Sequence, residues 1–162
     1  MGHELGHCLS GHALYKTMLS LLIPVLARLS VDPGWLAWVA PPHVPYAPAL
    51  AARGVVLERL LLVQGVSAEE GLWAVEQAMK SGACTAVLAW TGEVRGAQLR
   101  RLQLAAEQGG CLGVLFRGRQ TAAQASPAAL RLRAQAAAPG LAVEVLKRRG
   151  GWSRGRCVVP VS

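Results

Sequence analysis

Residues 85–116 read TAVLAWTGEVRGAQLRRLQLAAEQGGCLGVLF, and this stretch decides the fold. Thr85 to Trp90 is an almost unbroken apolar run, the pattern of a strand covered on both faces. From Val94 to Gln108 the period becomes helical. Leu99, Leu102 and Ala106 share one face, while Arg95, Arg100 and Glu107 lie away from it. Gly109-Gly110 stops the helix, and Leu112 to Phe116 is apolar again. Two buried strands joined through a helix form a βαβ unit, and its strands run parallel.

The same rhythm continues upstream. Trp35 to Ala40 (WLAWVA) and Leu60 to Val63 (LLLV) read as two more buried strands. Ser67-Ala68-Glu69-Glu70 fits a capping box, with Glu at the third helical position. The helix it opens carries Leu72, Val75, Ala78 and Met79 on its buried stripe and ends at Gly82. A short helix is expected over Tyr46–Arg53, after the rigid Pro41-Pro42-His43-Val44-Pro45 loop. Leu14–Leu29 reads as a helix that Pro24 should kink or restart. Residues 1–13, rich in Gly and His, read as irregular.

Downstream the period changes. Leu130, Leu132 and Ala134 alternate with Arg131 and Arg133, and Leu141, Val143 and Val145 alternate with Ala142, Glu144 and Leu146. With Pro139-Gly140 between them, these residues read as a β-hairpin. The expected fold is α/β: a mostly parallel sheet flanked by helices, with a C-terminal basic β-hairpin. The expected organisation is an irregular segment over 1–13, one domain over 14–152 and a tail over 153–162.

Hydrophobic residues make up 52% of the 162 and charged residues 16%, which excludes a disordered, solvating chain. The net charge of +8 is unevenly placed. Through Phe116, 8 Lys and Arg balance 8 Asp and Glu; from Arg117 onward, 9 face the single acid Glu144. Such a basic end attracts phosphate backbones or an acidic protein face. Lys147-Arg148-Arg149 follows a strand, and Trp152 beside it could stack on a ring, so these four are the candidate contacts to DNA or a partner. Cys8, Cys84, Cys111 and Cys157 form no CxxC pair and read as reduced thiols of a cytoplasmic protein. The apolar run Met18–Ala27 is too short to span a bilayer, so no membrane partner is expected.

Three motifs invite catalysis and fall short of it. His3-Glu4-Leu5-Gly6-His7 matches the zinc-protease pattern. It lies where a chain end frays, contains Gly6, and has His12 one position off the spacing of a third ligand, so no metal site is assigned. Ser10 to Thr17 ends in the Lys16-Thr17 of a phosphate loop, but Ser10 and Tyr15 replace its two glycines. Lys16 and Thr17 are thus expected as a degenerate remnant, without a bound cofactor. A nucleotide hydrolase also needs carboxylates at the ends of central strands; here stand Pro41-Pro42 and Trp90. His43, between prolines, has no evident acid partner.

The run AWVAPPHVPYAPALAARGV (37–55) and the run SGACTAVLAW (81–90), with RRLQLAAEQGGCLGVLF and the ending LKRRGGW, resemble a bacterial family. It is that of the translesion DNA synthesis-associated protein ImuA, also described as SulA-like, and the resemblance covers residues 19–152. It implies a RecA-like fold that has lost ATP hydrolysis and a non-catalytic accessory role in SOS-induced mutagenesis. The partners it implies are an ImuB-type polymerase-like protein and a DnaE-type error-prone polymerase, with DNA and RecA as further candidates. In some RecA relatives a K-x-R-x-G segment reaches a neighbouring protomer, and Lys147, Arg149 and Gly151 match it. The alternative implied by the same resemblance is a SulA-type inhibitor of cell division that caps the tubulin-like protein FtsZ. Met1 to Tyr15 departs from the family's Gly-rich start, and the expectation is a start that is either truncated or misread.

Overall fold

A computed structural model describes residues 2–151 and 155–160, with side chains described from Tyr15 onward. The chain divides into two compact units, residues 24–128 and residues 1–23 with 129–162. Helix α1 (Gly2–Val31) contributes to both. Residues 1–13, expected as irregular, are helical from Gly2 onward, and Pro24 lies inside the helix.

In the first unit four strands form a parallel sheet, ordered β2-β1-β3-β4. They are β1 (Trp35–Val39), β2 (Leu60–Val63), β3 (Cys84–Trp90) and β4 (Leu112–Phe116). Strand β1 sets the register on both sides: Trp38 lies opposite Leu62 of β2 and Leu88 of β3. Helices α2 (Ala47–Ala52), α3 (Ala68–Lys80) and α4 (Gly96–Gly109) make the crossovers. The parallel sheet with flanking helices is the architecture that the apolar strand runs predict.

Alternation along the strands divides the core. Ala37, Val39, Val87 and Ala89 face α3 and α4, where Val75, Met79, Leu102 and Ala105 complete a dry cluster. Glu76 on α3 and Arg101 on α4 form an ion pair at 2.6 Å between the two helices. On the opposite face Leu36, Trp38, Ala86 and Leu88 are fully buried. The end of α1 is tied in by hydrogen bonds. The Ser30 hydroxyl donates to the Ala27 carbonyl at 2.8 Å and accepts from the Val56 amide at 3.0 Å. The Thr85 hydroxyl donates to the Leu29 carbonyl at 3.3 Å.

In the second unit three antiparallel strands are ordered β5-β6-β7. They are β5 (Leu130–Ala137), β6 (Gly140–Arg148) and β7 (Arg156–Pro160). The expected hairpin is therefore extended by a third strand, drawn from residues expected to be a tail. Pairing of Cys157 with Val143 and Val159 with Leu141 continues the apolar side of the sheet. Among the described residues, no helix is long and apolar enough to cross a membrane.

Substitutions at two positions probe this core. A Cβ on Gly109 would run into the Met79 carbonyl oxygen, backbone that cannot swing aside. Gly109→Ala is expected to cost more than about 3 kcal/mol through overpacking, read by denaturant unfolding. Trp38 is fully buried, yet its indole Nε1 has no hydrogen-bond partner among the described residues. Because that N–H is desolvated without return, Trp38→Phe is expected to cost less than about 1 kcal/mol, while Trp38→Ala costs about 3–5.

Candidate functional site

The strand order creates the place where α/β sheets hold their ligands. From β1 the chain crosses to β2 on one side, while β3 lies on the other, so the connections leave β1 and β3 in opposite directions. A crevice opens outside the carboxyl ends of such a pair of strands. Here it is a cavity of about 90 Å³ lined by Val39, Ala40, Ser67, Gly71, Trp90 and Thr91 among others. Every lining residue is uncharged. The Thr91 hydroxyl is buried there without a partner among the described residues.

The amino end of α3 meets this crevice already satisfied. The Glu70 amide donates to the Ser67 hydroxyl at 3.2 Å, and the Ser67 amide donates to the Glu70 carboxylate at 2.7 Å. This is the reciprocal box predicted from Ser67 and Glu70. The Ser67 amide first, and the Ser67 hydroxyl second, hold the Glu70 carboxyl below its ordinary range. With Glu69 beside it, the first turn presents two carboxylates where a phosphate would need amides and positive charge. At the far side Trp90 stacks on Phe116, with ring centres 4.5 Å apart and planes 7° from parallel, and lies 5.9 Å from the Trp38 ring. An aromatic stack thus fills the strand end where a hydrolase needs a metal-binding acid.

The loop leaving β1 has the opposite character. Ala40 turns the chain at φ 52°, a left-handed conformation rare for a residue with a Cβ. Its amide still donates to the Val63 carbonyl at 2.8 Å. Pro41 is buried, and Pro42, Pro45 and Pro48 limit the backbone further. The loop then projects Val44 and Tyr46, 67% and 73% exposed. The Tyr46 carbonyl accepts from the Ala49 and Leu50 amides and so anchors the loop to α2. Large apolar side chains on a stiff backbone lose little entropy on docking. The sequence reading treats this loop as a rigid connector and misses its apolar exposure; the signal is a valine and a tyrosine placed among prolines.

Other predicted residues lie elsewhere. Lys16 and Thr17 sit in the middle of α1, which runs on either side of them from Gly2 to Val31. His3, Glu4 and His7 belong to the same helix, and their side chains lie outside the described residues. Among the described residues no three His, Cys, Asp or Glu side chains are grouped to hold a metal. Lys147 and Arg148 close β6, and Arg149 follows, its amide donating to the Ala129 carbonyl at 2.8 Å. All three are exposed; Trp152 lies outside the described residues. Burial, with a smaller contribution from Cys84, pushes the Cys111 thiol up to about 11, and burial raises Cys84 too, so neither is a ready nucleophile.

The comparisons with known proteins converge. The family model described as "Cell division inhibitor SulA" matches residues 11–113. The cell division inhibitor SulA of Edwardsiella piscicida is 34% identical over 122 residues, covering 74% of this chain and 73% of that protein. That of Photorhabdus laumondii is 30% identical over 111 residues, covering 68% and 63%. The crystal structure of SulA from Pseudomonas aeruginosa superposes with a TM-score of 0.53 at 29% identity, covering 62% of this chain and 87% of that one. These matches overturn the expected translesion-synthesis role. The ImuA family, with its ImuB-type, DnaE-type, RecA and DNA partners, gives way to the alternative that the same resemblance held open.

The capping box makes a prediction with a sign. Glu70 has a lowered folded pKa, so its contribution is present above the unfolded carboxylate range of about 4.3 and is lost as pH falls through the folded value. Ser67→Ala should lower stability by about 1 kcal/mol at pH 7. That difference should shrink as pH drops below about 4, checked by urea unfolding of both proteins across pH 3 to 7.

Proposed function

The chain belongs to the SulA family of cell division inhibitors, and we propose that it acts in the family's manner, by binding FtsZ and blocking its assembly. The observation that carries this reading is the match over residues 11–113, which takes in strands β1 to β3, the start of β4 and both helices of the α3–α4 face. The action is occupancy rather than turnover. The crevice at the β1/β3 switch point supplies no charged group, and the α3 amino end is filled by its own carboxylates. Damage-induced expression, which the resemblance also implies, fits a protein that needs only to be present to act.

Within this reading the docking surface is the loop from Ala40 to Tyr46. Val44 and Tyr46 are the exposed anchors, and aromatic side chains held on a rigid support are the usual centres of binding energy. The strained Ala40 is the residue that aims the loop away from the sheet. His43 stands between the anchors and the buried Pro41.

The test is inhibition of GTP-driven FtsZ polymerisation, followed by sedimentation, with the purified full chain. The wild-type chain is expected to block polymer formation at near-stoichiometric ratio. The double variant Val44→Ser, Tyr46→Ala should need at least about tenfold more protein, about 1.4 kcal/mol of lost binding, with unchanged thermal unfolding. No inhibition by the wild-type chain overturns the function; undiminished inhibition by the double variant overturns the docking surface.

A further inference from the structure

Gly71 is a residue that the fold itself does not ask for. It lies inside α3, and its amide donates to the Ser67 carbonyl at 2.8 Å in the ordinary helical way. Glycine is, after proline, the least favourable residue within a helix. Close packing can demand it, as at Gly109 and Gly113, where a Cβ would run into the Met79 carbonyl oxygen and the end of the Met79 side chain. At Gly71 a Cβ would meet Val66 Cγ2 at 3.5 Å and Val39 Cγ1 at 3.8 Å, which is ordinary van der Waals contact. Neither conformation nor crowding therefore explains this glycine.

What glycine does at position 71 is leave space. It lines the crevice at the β1/β3 switch point, together with Val39, Ala40 and Ala89. The size of that crevice, about 90 Å³, decides what can enter it. Pockets for small molecules and cofactors span about 300 Å³ or more, and an apolar cavity that takes benzene measures about 150 Å³. A cofactor and an aromatic ring are both too large. A charged group would be stranded, because no lining residue carries a charge to answer it. One aliphatic side chain meets both limits.

The crevice is also continuous with the exposed loop. Ala40 lines it and, at φ 52°, turns the chain out towards Val44 and Tyr46. A partner lying against those two anchors can therefore reach the crevice. We propose that the crevice is a socket for one aliphatic side chain of the partner, kept open by the missing Cβ of Gly71. The partner is FtsZ, so this inference rests on the function proposed above.

Gly71→Ala tests it, in the same sedimentation assay of GTP-driven FtsZ polymerisation with the full chain. One added carbon in a pocket of this size should raise the amount of protein needed for inhibition about tenfold. Alanine favours the helix, so the thermal midpoint should be no lower than that of the wild-type chain. A residue kept only for stability would not give loss of binding with stability retained. Gly96→Ala is the control: Gly96 opens α4 outside the crevice, a Cβ there meets nothing within 4 Å, and inhibition should be unchanged. If the wild-type chain does not inhibit, the FtsZ reading falls and the socket with it. If the wild-type chain inhibits and Gly71→Ala inhibits equally, the socket alone falls. Equal loss in Gly96→Ala shows a general effect on the helices and overturns it. A Gly71→Ala chain that does not fold shows that the space is not free, and overturns it too. A change in the size of the free chain on gel filtration, with inhibition intact, gives the socket to a second copy and also overturns it.

Discussion

Parallel pairing of β1 on both of its edges is the constraint on which the rest of the first unit depends. A strand flanked in parallel by β2 and β3 cannot be reached by short turns, so each connection crosses over a face of the sheet. With right-handed crossovers and this order, α2 lies on one face, and α3 and α4 on the other. That explains why Ala37 and Val39 belong to the α3–α4 cluster while Leu36 and Trp38 are buried on the opposite side. It also explains why both chain exits at the carboxyl end, the Ala40 turn and the Trp90-Thr91 turn, border one crevice.

The crevice and the loop beside it divide the chemistry of that end between them. A nucleotide-handling sheet spends its switch point on glycines, cations and carboxylates. This one spends it on a capping box, an aromatic stack and uncharged walls. The polar groups there are largely satisfied within the protein, so the place that remains open to a large ligand is the apolar loop. The four prolines between residues 41 and 48 stiffen that loop directly.

Much of the first unit was legible because its signals are local. The capping box follows from Ser67 and Glu70 alone, and the end of α4 from Gly109-Gly110, where Gly110 adopts φ 62°. Strand runs bounded by turns located β1 to β4 to within a residue. Signals that depend on distant pairing were harder to read. Cys157-Val158-Val159 is too short a run to declare a strand, and only its register against β6 makes β7 one. The helix over residues 2–13 has two glycines within its first six residues, so local propensity argued against it. The exposed loop was quoted as part of the family resemblance, but its own signal, a valine and a tyrosine set among prolines too stiff to fold them inward, was passed over. The resemblance itself named two related families, and the choice between them rested on a basic end that lies outside the matched stretch.

The location of that basic end decides how it should be weighed. If the cations served the same partner as the loop, they would be expected within the stretch that the family model covers. Instead the Lys and Arg surplus falls after Phe116, while residues up to that point balance to zero. On β5, Arg131 and Arg133 alternate with Leu130 and Leu132, whereas on β6 Lys147 and Arg148 are consecutive and follow a break in register, so the two strands carry their charge with different spacing.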